Sequence, residues 1–192
     1  VLWEVREWCK SRCHYRGCTE SKRLQTKAVN FDALFIYTFC DIMDVYVGVE
    51  GFTLPSGFVL KELCLMYPNK EFSYFLFKPP INRQFSEADF RTIRYTTTKL
   101  NNISWCDGHV PMDSLPAILQ EIQQYKIYTY SEIARRMLQE ILPVSTVVDV
   151  QALGHKLPTC LPSANCGRQH RPRYCAKAKA VAIRDFENSC NQ

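Results

Sequence analysis

The 192 residues suffice for one ordinary domain with an appendage, and 46% hydrophobic with 22% charged residues supports a packed core and excludes a wholly disordered chain. The net charge of +5 is modest, so a phosphate-binding surface requires that the excess be gathered in one place. No run of eighteen apolar residues occurs, so no transmembrane helix is predicted.

The first methionine is Met43, and residues 1–42 differ in character from the rest of the chain. They carry Cys9, Cys13, Cys18 and Cys40 among mixed charges without sustained periodicity, and read as a leader outside the domain, non-native or disordered. The cluster "CKSRCHYRGC" offers Cys9, Cys13, His14 and Cys18 to zinc, but adjacent Cys13 and His14 suit one tetrahedral ion poorly. The chain has ten cysteines, and its visible start lacks the apolar stretch of a secretory signal. With Cys64 inside an apolar run, the cysteines read as reduced thiols of an intracellular protein, cytoplasmic or nuclear.

From residue 43 the pattern becomes regular, and a single domain over 43–190 is expected. "DVYVGVEGF", "FVLKELCLMY" and "FSYFLFKPP" read as three strands joined by the turn-like "TLPSG" and "PNKE". Strict alternation in the second puts Phe58, Leu60, Glu62, Cys64 and Met66 on one face, opposite Val59, Lys61, Leu63 and Leu65. A helix capped by Ser86 follows, then "DSLPAILQEIQQY", with Pro116 in its first turn. "KIYTY" reads as a strand, Ser131 caps "SEIARRMLQEIL", "STVVDVQAL" is a fifth strand, and a last helix runs over 173–186. The order βββ, α, β, α, β, α predicts an α/β domain whose antiparallel meander feeds parallel strands.

Basic residues gather in one stretch. Within "CGRQHRPRYCAKAKA" (166–180), Arg168, Arg171, Arg173, Lys177 and Lys179 occur with no acid, which suits either a nucleic-acid contact or a solvated helix face. His109, His155 and the Cys106–His109 pair read as loop or surface groups, and neither a glycine-rich phosphate loop nor a serine nucleophile elbow occurs.

The order of elements, with "VGVEGF", "IYTYSEIARR" and "HRPRYCAKA", resembles the RNase H-like fold and, more narrowly, the DEDDh exonucleases. That family holds two metal ions on an Asp-x-Glu pair of the first strand, an Asp where the helix after strand four begins, and a His-x4-Asp set on the last helix. The resemblance places Gly48 where the first Asp would be and Glu50 at the Glu. Glu132 is the carboxylate nearest the third position, and Asp149 a further candidate. His170 stands at the general base and Cys175 replaces the closing Asp. The resemblance therefore implies an impaired site, because a pair of Mg²⁺ or Mn²⁺ ions needs more carboxylate charge than these positions keep.

The same residues resemble the Maelstrom domain, an RNase H-like domain with a Glu-Cys-His-Cys zinc set. That likeness implies zinc on Glu62, His170 and Cys175, with Cys166 or Cys160 as substitute for a cysteine that would fall near Thr129. Cys175 reads equally as a thiol packed with Ala178 and Ala182. The phrases "FVLKEL", "LFKPP", "WCDGHVP" and "CGRQHRPRYCA" are also similar to arthropod genome-encoded proteins of mobile-element or viral type.

Three functions stay open on these grounds. The first is an exonuclease-like domain that binds single-stranded RNA or DNA with catalysis lost. The second is a residually active metal-dependent 3′–5′ exonuclease or RNase, and the third a zinc-stabilised protein-interaction module.

Overall fold

The structure, a computed structural model, describes residues 43–80, 83–158 and 172–190. They belong to one compact unit spanning residues 39–192. The expected leader, and with it the Cys9–Cys18 cluster, lies outside the described residues.

Three strands form the predicted meander: β1 (Asp44–Leu54), β2 (Gly57–Met66) and β3 (Phe72–Leu76). Helix α1 (Glu87–Tyr95) runs into a π-helical turn (Thr96–Asn101), and α2 (Leu115–Gln120) follows a short 3-10 turn. Then come β4 (Lys126–Thr129), α3 (Glu132–Ile141), β5 (Val147–Asp149) and, after a 3-10 turn at Pro172–Tyr174, α4 (Ala176–Cys190). The sheet order is β3-β2-β1-β4-β5. β1–β2 and β2–β3 are antiparallel, whereas β1–β4 and β4–β5 are parallel. The chain is thus an α/β protein with a mixed five-stranded sheet flanked by helices.

Both faces of β1 are buried, as its mixture of valines, tyrosine and glycine requires of a central strand. Val45, Val47 and Val49 pack with Leu63, Leu65, Ile127, Leu119 and Leu138 on the side of α2 and α3. On the other side Tyr46, Cys64, Met66 and Tyr128 meet Ala176, Ala180 and Ile183 of α4. A third cluster, Phe52, Leu54, Val59 and Ile93, joins the far end of the meander to α1.

The alternation expected along β2 breaks at Lys61. Glu50 pairs with Glu62 and Gly51 with Leu60, so Lys61 is an extra residue, a β-bulge. The bulge moves Leu60 to the face of Leu63 and Leu65, opposite Glu62, Cys64 and Met66. The Lys61 ammonium is buried and donates to the carbonyls of Phe77 (3.0 Å), Trp105 (2.6 Å) and Asp107. This tethers the loop after the π-helical turn to the sheet, and the carbonyls supply the hydrogen bonds that a buried cation needs.

Helix ends follow the caps read from sequence. Ser86 and Asp89 form a reciprocal capping box at α1, with Asp89 also accepting from the Ser56 amide and hydroxyl. Ser131 caps α3, its hydroxyl accepting from the Ala134 amide. The predicted helix over 113–125 contracts to α2, six residues after a 3-10 turn. The last helix begins at Ala176 and extends to Cys190. Among the described residues, the thiols of Cys64 and Cys175 are buried and those of Cys106 and Cys190 exposed. No helix described is long and apolar enough to cross a membrane.

Candidate functional site

A polar groove opens where the end of β1, the α1–π segment and the start of α4 come together. Its volume is about 550 Å³, within the range of small-molecule sites. Glu50, Gly51 and Thr53 line it from β1, Thr92 and Thr96 from the α1–π segment, and Arg173, Tyr174 and Lys179 from the chain around the α4 start. Tyr130, at the end of β4, and Leu157 complete the wall beside them.

Glu50 is the carboxylate of this groove. It is 7% exposed, and its Oε1 is ion-paired with the Lys179 ammonium. Burial pushes the Glu50 carboxyl above the ordinary range, the Lys179 charge opposes that, and Glu62 on the neighbouring strand pushes it up again. The two glutamates stand directly opposite across β1–β2, a repulsive placement for like charges unless each has its own partner. Glu62 has such partners: the Tyr74 hydroxyl donates to Oε1, and the Ala176 amide, at the start of α4, donates to Oε2 (3.3 Å).

Gly48, where the resemblance calls for an aspartate, is the point at which α4 touches the sheet. A Cβ built there would lie 1.8 Å from the Ala176 carbonyl oxygen and 3.0 Å from the Ala180 amide nitrogen. No side chain fits in that gap, so the helix occupies the space that a carboxylate would need. Ala176 and Ala180, four residues apart, are the small residues that let the backbones close.

The remaining candidates are placed apart. Glu132 is exposed and bonded to Arg135 and Arg136 of its own helix, Oε2 to Arg135 Nε at 2.6 Å and Oε1 to Arg136 Nε at 2.7 Å. Those two guanidinium hydrogen bonds bring its carboxyl down to about 2. Asp149 is buried, its Oδ1 accepting from the Ser131 and Gln151 amides, both at 2.9 Å. It therefore fixes the β4–α3 junction, where Ser131 adopts a left-handed φ of 94°. Neither Glu132 nor Asp149 lines the groove. The residues present do not fit a pair of divalent metals: one carboxylate faces the groove, and a lysine neutralises it.

Of the expected zinc ligands, Cys160, Cys166 and His170 lie outside the described residues. Glu62 and Cys175 both reach the start of α4, since the amide that Glu62 accepts from belongs to Ala176, the next residue after Cys175. Cys175 packs with Ala178, Ala182 and Leu157. Among the described residues, no group of three His, Cys, Asp or Glu side chains is arranged to hold a metal.

The expected basic patch divides. Arg168 and Arg171 lie outside the described residues. Arg173 and Lys179 enter the groove, whereas Lys177 lies over the Phe72 ring of edge strand β3, 3.6 Å from its centroid. Sequence reading missed the opposite wall altogether. Thr92, Tyr95, Thr96, Leu100 and Asn101 line the groove from the α1–π segment, and only the uncommon run "TTTKLNN" inside a helical pattern hinted at an irregular turn.

No protein-family model, no curated protein and no solved structure matches the chain in comparisons with each.

Proposed function

We propose that the chain is an RNase H-like domain whose ancestral catalytic groove now binds single-stranded nucleic acid without cutting it. The observation that carries this reading is the Glu50–Lys179 ion pair: an internal cation neutralises the groove's carboxylate where a nuclease would hold metal ions. The antiparallel meander continued by two parallel strands supports the architectural half of the proposal. For the binding half, the groove combines Arg173 and Lys179 with Tyr95, Tyr130 and Tyr174, the mixture of cations and aromatic rings that suits phosphates and unstacked bases. With Glu50 paired to Lys179, Arg173 leaves the lining with one net positive charge.

Residual two-metal cleavage has less support, since Gly48, Glu132 and Asp149 offer the groove no further carboxylate. Zinc near the start of α4 is compatible with the nucleic-acid reading and is not required by it.

Fluorescence anisotropy of a labelled single-stranded oligonucleotide, titrated at several salt concentrations, tests the proposal. Binding should weaken steeply with salt, and Arg173→Glu should lower affinity for every sequence while reducing the salt slope by about one. Binding that ignores both salt and Arg173→Glu would remove the nucleic-acid reading.

A further inference from the structure

Helix α1 turns Asp89 and Ile93 inward, and its opposite side is open to solvent. Arg91, Tyr95 and Lys99 recur at four-residue spacing, which sets them one above another along one edge of the helix and of the π-helical turn that continues it. All three are exposed, as is Arg94 beside them. Tyr95 keeps 58% of its surface in solvent and also lines the groove, so the row runs along the groove's rim.

The row is uniformly positive. Residues 90–106 contain Arg91, Arg94 and Lys99 and no aspartate or glutamate. None of the three cations makes an ion pair among the described residues, although Glu87 precedes Arg91 by one turn. On α3, by contrast, Glu132 holds both Arg135 and Arg136. Inside the groove Lys179 is bound to Glu50, and Arg173 supplies the unopposed charge. A strand seated there on one cation would be held weakly, since neutralising phosphates supplies most of such affinity. Arg91 and Lys99 are about 12 Å apart along the helix axis. That is the span of about three or four phosphates at a spacing of about 3.4 Å.

We propose that a single nucleic-acid strand leaving the groove passes over Tyr95 and along the outer edge of α1, its phosphates on Arg91, Arg94 and Lys99 and a base stacked on the Tyr95 ring. This rests on the nucleic-acid reading above and extends it from the groove to a second surface. Tyr95 belongs to both surfaces, and it stands between cations with its ring exposed, the alternation that a chain of phosphates and bases matches. An aromatic face serves every base alike, so the row lengthens the footprint and raises affinity without adding sequence preference.

The experiment titrates a labelled deoxythymidine strand of about twelve nucleotides by anisotropy at several salt concentrations. It compares wild-type protein with the row variant Arg91→Gln/Arg94→Gln/Lys99→Gln. A control of equal charge, Lys70→Gln/Lys78→Gln/Arg136→Gln, removes exposed cations outside both the groove and the row. The row variant should bind at least about tenfold more weakly, with the slope of log affinity against log salt reduced by about two, at about 0.7 for each phosphate contact. The control should keep the wild-type slope. Tyr95→Ala should lose about tenfold in affinity and Tyr95→Phe very little. A wild-type slope in the row variant, or equal losses in the row and control variants, would overturn the row while leaving Arg173 and the groove in place. Unchanged affinity in Tyr95→Ala would overturn the stacking. Failure of wild-type protein to bind the strand would overturn the nucleic-acid reading and the row with it. Binding to phosphatidylserine vesicles through the same cations would, in that case, make the row a membrane contact.

Discussion

The carbonyl oxygen of Ala176 occupies the space that a side chain on Gly48 would need, 1.8 Å from the position of its Cβ. One contact thus joins the absence of an aspartate to the seating of the last helix. With Gly48 in β1, α4 descends onto the sheet until Ala176 and Ala180 meet the strand, and Lys179 is carried to Glu50. The absence of a side chain at position 48 and the Glu50–Lys179 ion pair are therefore two consequences of one packing arrangement.

Replacing Gly48 with aspartate should unseat the last helix rather than add a carboxylate to the groove. Backbone atoms, rather than a flexible side-chain end, fill the space, so α4 must shift and the fold should lose about 3 kcal/mol or more. Gly48→Ala should cost nearly as much, since the clash begins at Cβ. Urea unfolding of the two variants measures both, and an aspartate variant as stable as wild type would show that the helix is not seated as described.

The Glu50–Lys179 pair is buried enough that removing one partner strands the other. Lys179→Met should destabilise the protein by about 3 kcal/mol, because it leaves the Glu50 carboxylate without its counter-charge beside Glu62. Adding Glu50→Gln to Lys179→Met should restore much of the loss, to within about 1 kcal/mol of wild type. Chemical denaturation of both single variants and the double variant gives the coupling directly, and simple additivity would contradict the pairing.

Asp89 makes stability sensitive to acid. Hydrogen bonds from Ser86, backbone first, and then from Ser56 hold its carboxyl at about 2, below its ordinary 3.8. A carboxylate whose folded value is depressed adds stability that is complete above the ordinary value and is lost as pH falls through the folded one. Wild-type stability should therefore decline between about pH 4 and pH 2, and Asp89→Asn should flatten that part of the profile. Thermal melts across the interval test this, with equal slopes for the two proteins as the contrary result.

Asp149 should behave as a structural carboxylate. Its two accepted amide bonds secure Ser131 at a positive φ, so Asp149→Ala should cost about 2 kcal/mol by leaving those amides unsatisfied. Affinity for a single strand should be unchanged at temperatures where the variant is folded. A selective loss of affinity would return Asp149 to the site.

Much of the architecture was legible because the relevant signals are local. Turn-forming runs mark the meander, and Ser86 and Ser131 mark helix starts. What stayed hidden depends on contacts distant in sequence or on one-residue irregularities. The bulge at Lys61 reverses the faces expected for Phe58 and Leu60, and nothing in "FVLKEL" marks the extra residue. α2 ends early because the 3-10 turn and the turns after Gln120 replace helix that the apolar spacing of "DSLPAILQEIQQY" allows. Glu132 begins the helix after β4, and its i+3 and i+4 arginines hold it on that helix. Lys179 looked like one member of a basic face. The small residues of "AKAKA" opposite "VGVE" were the available signal that this stretch would meet β1, and only the structure joins Lys179 to Glu50.

The central claim is that the groove holds a strand and does not cut it. A labelled single strand should be incubated with protein and Mn²⁺ at a concentration where anisotropy shows it bound, and its length monitored on a denaturing gel. The account predicts full-length strand throughout, with anisotropy lowered by Arg173→Glu. Progressive Mn²⁺-dependent shortening that Glu50→Gln abolishes would contradict it.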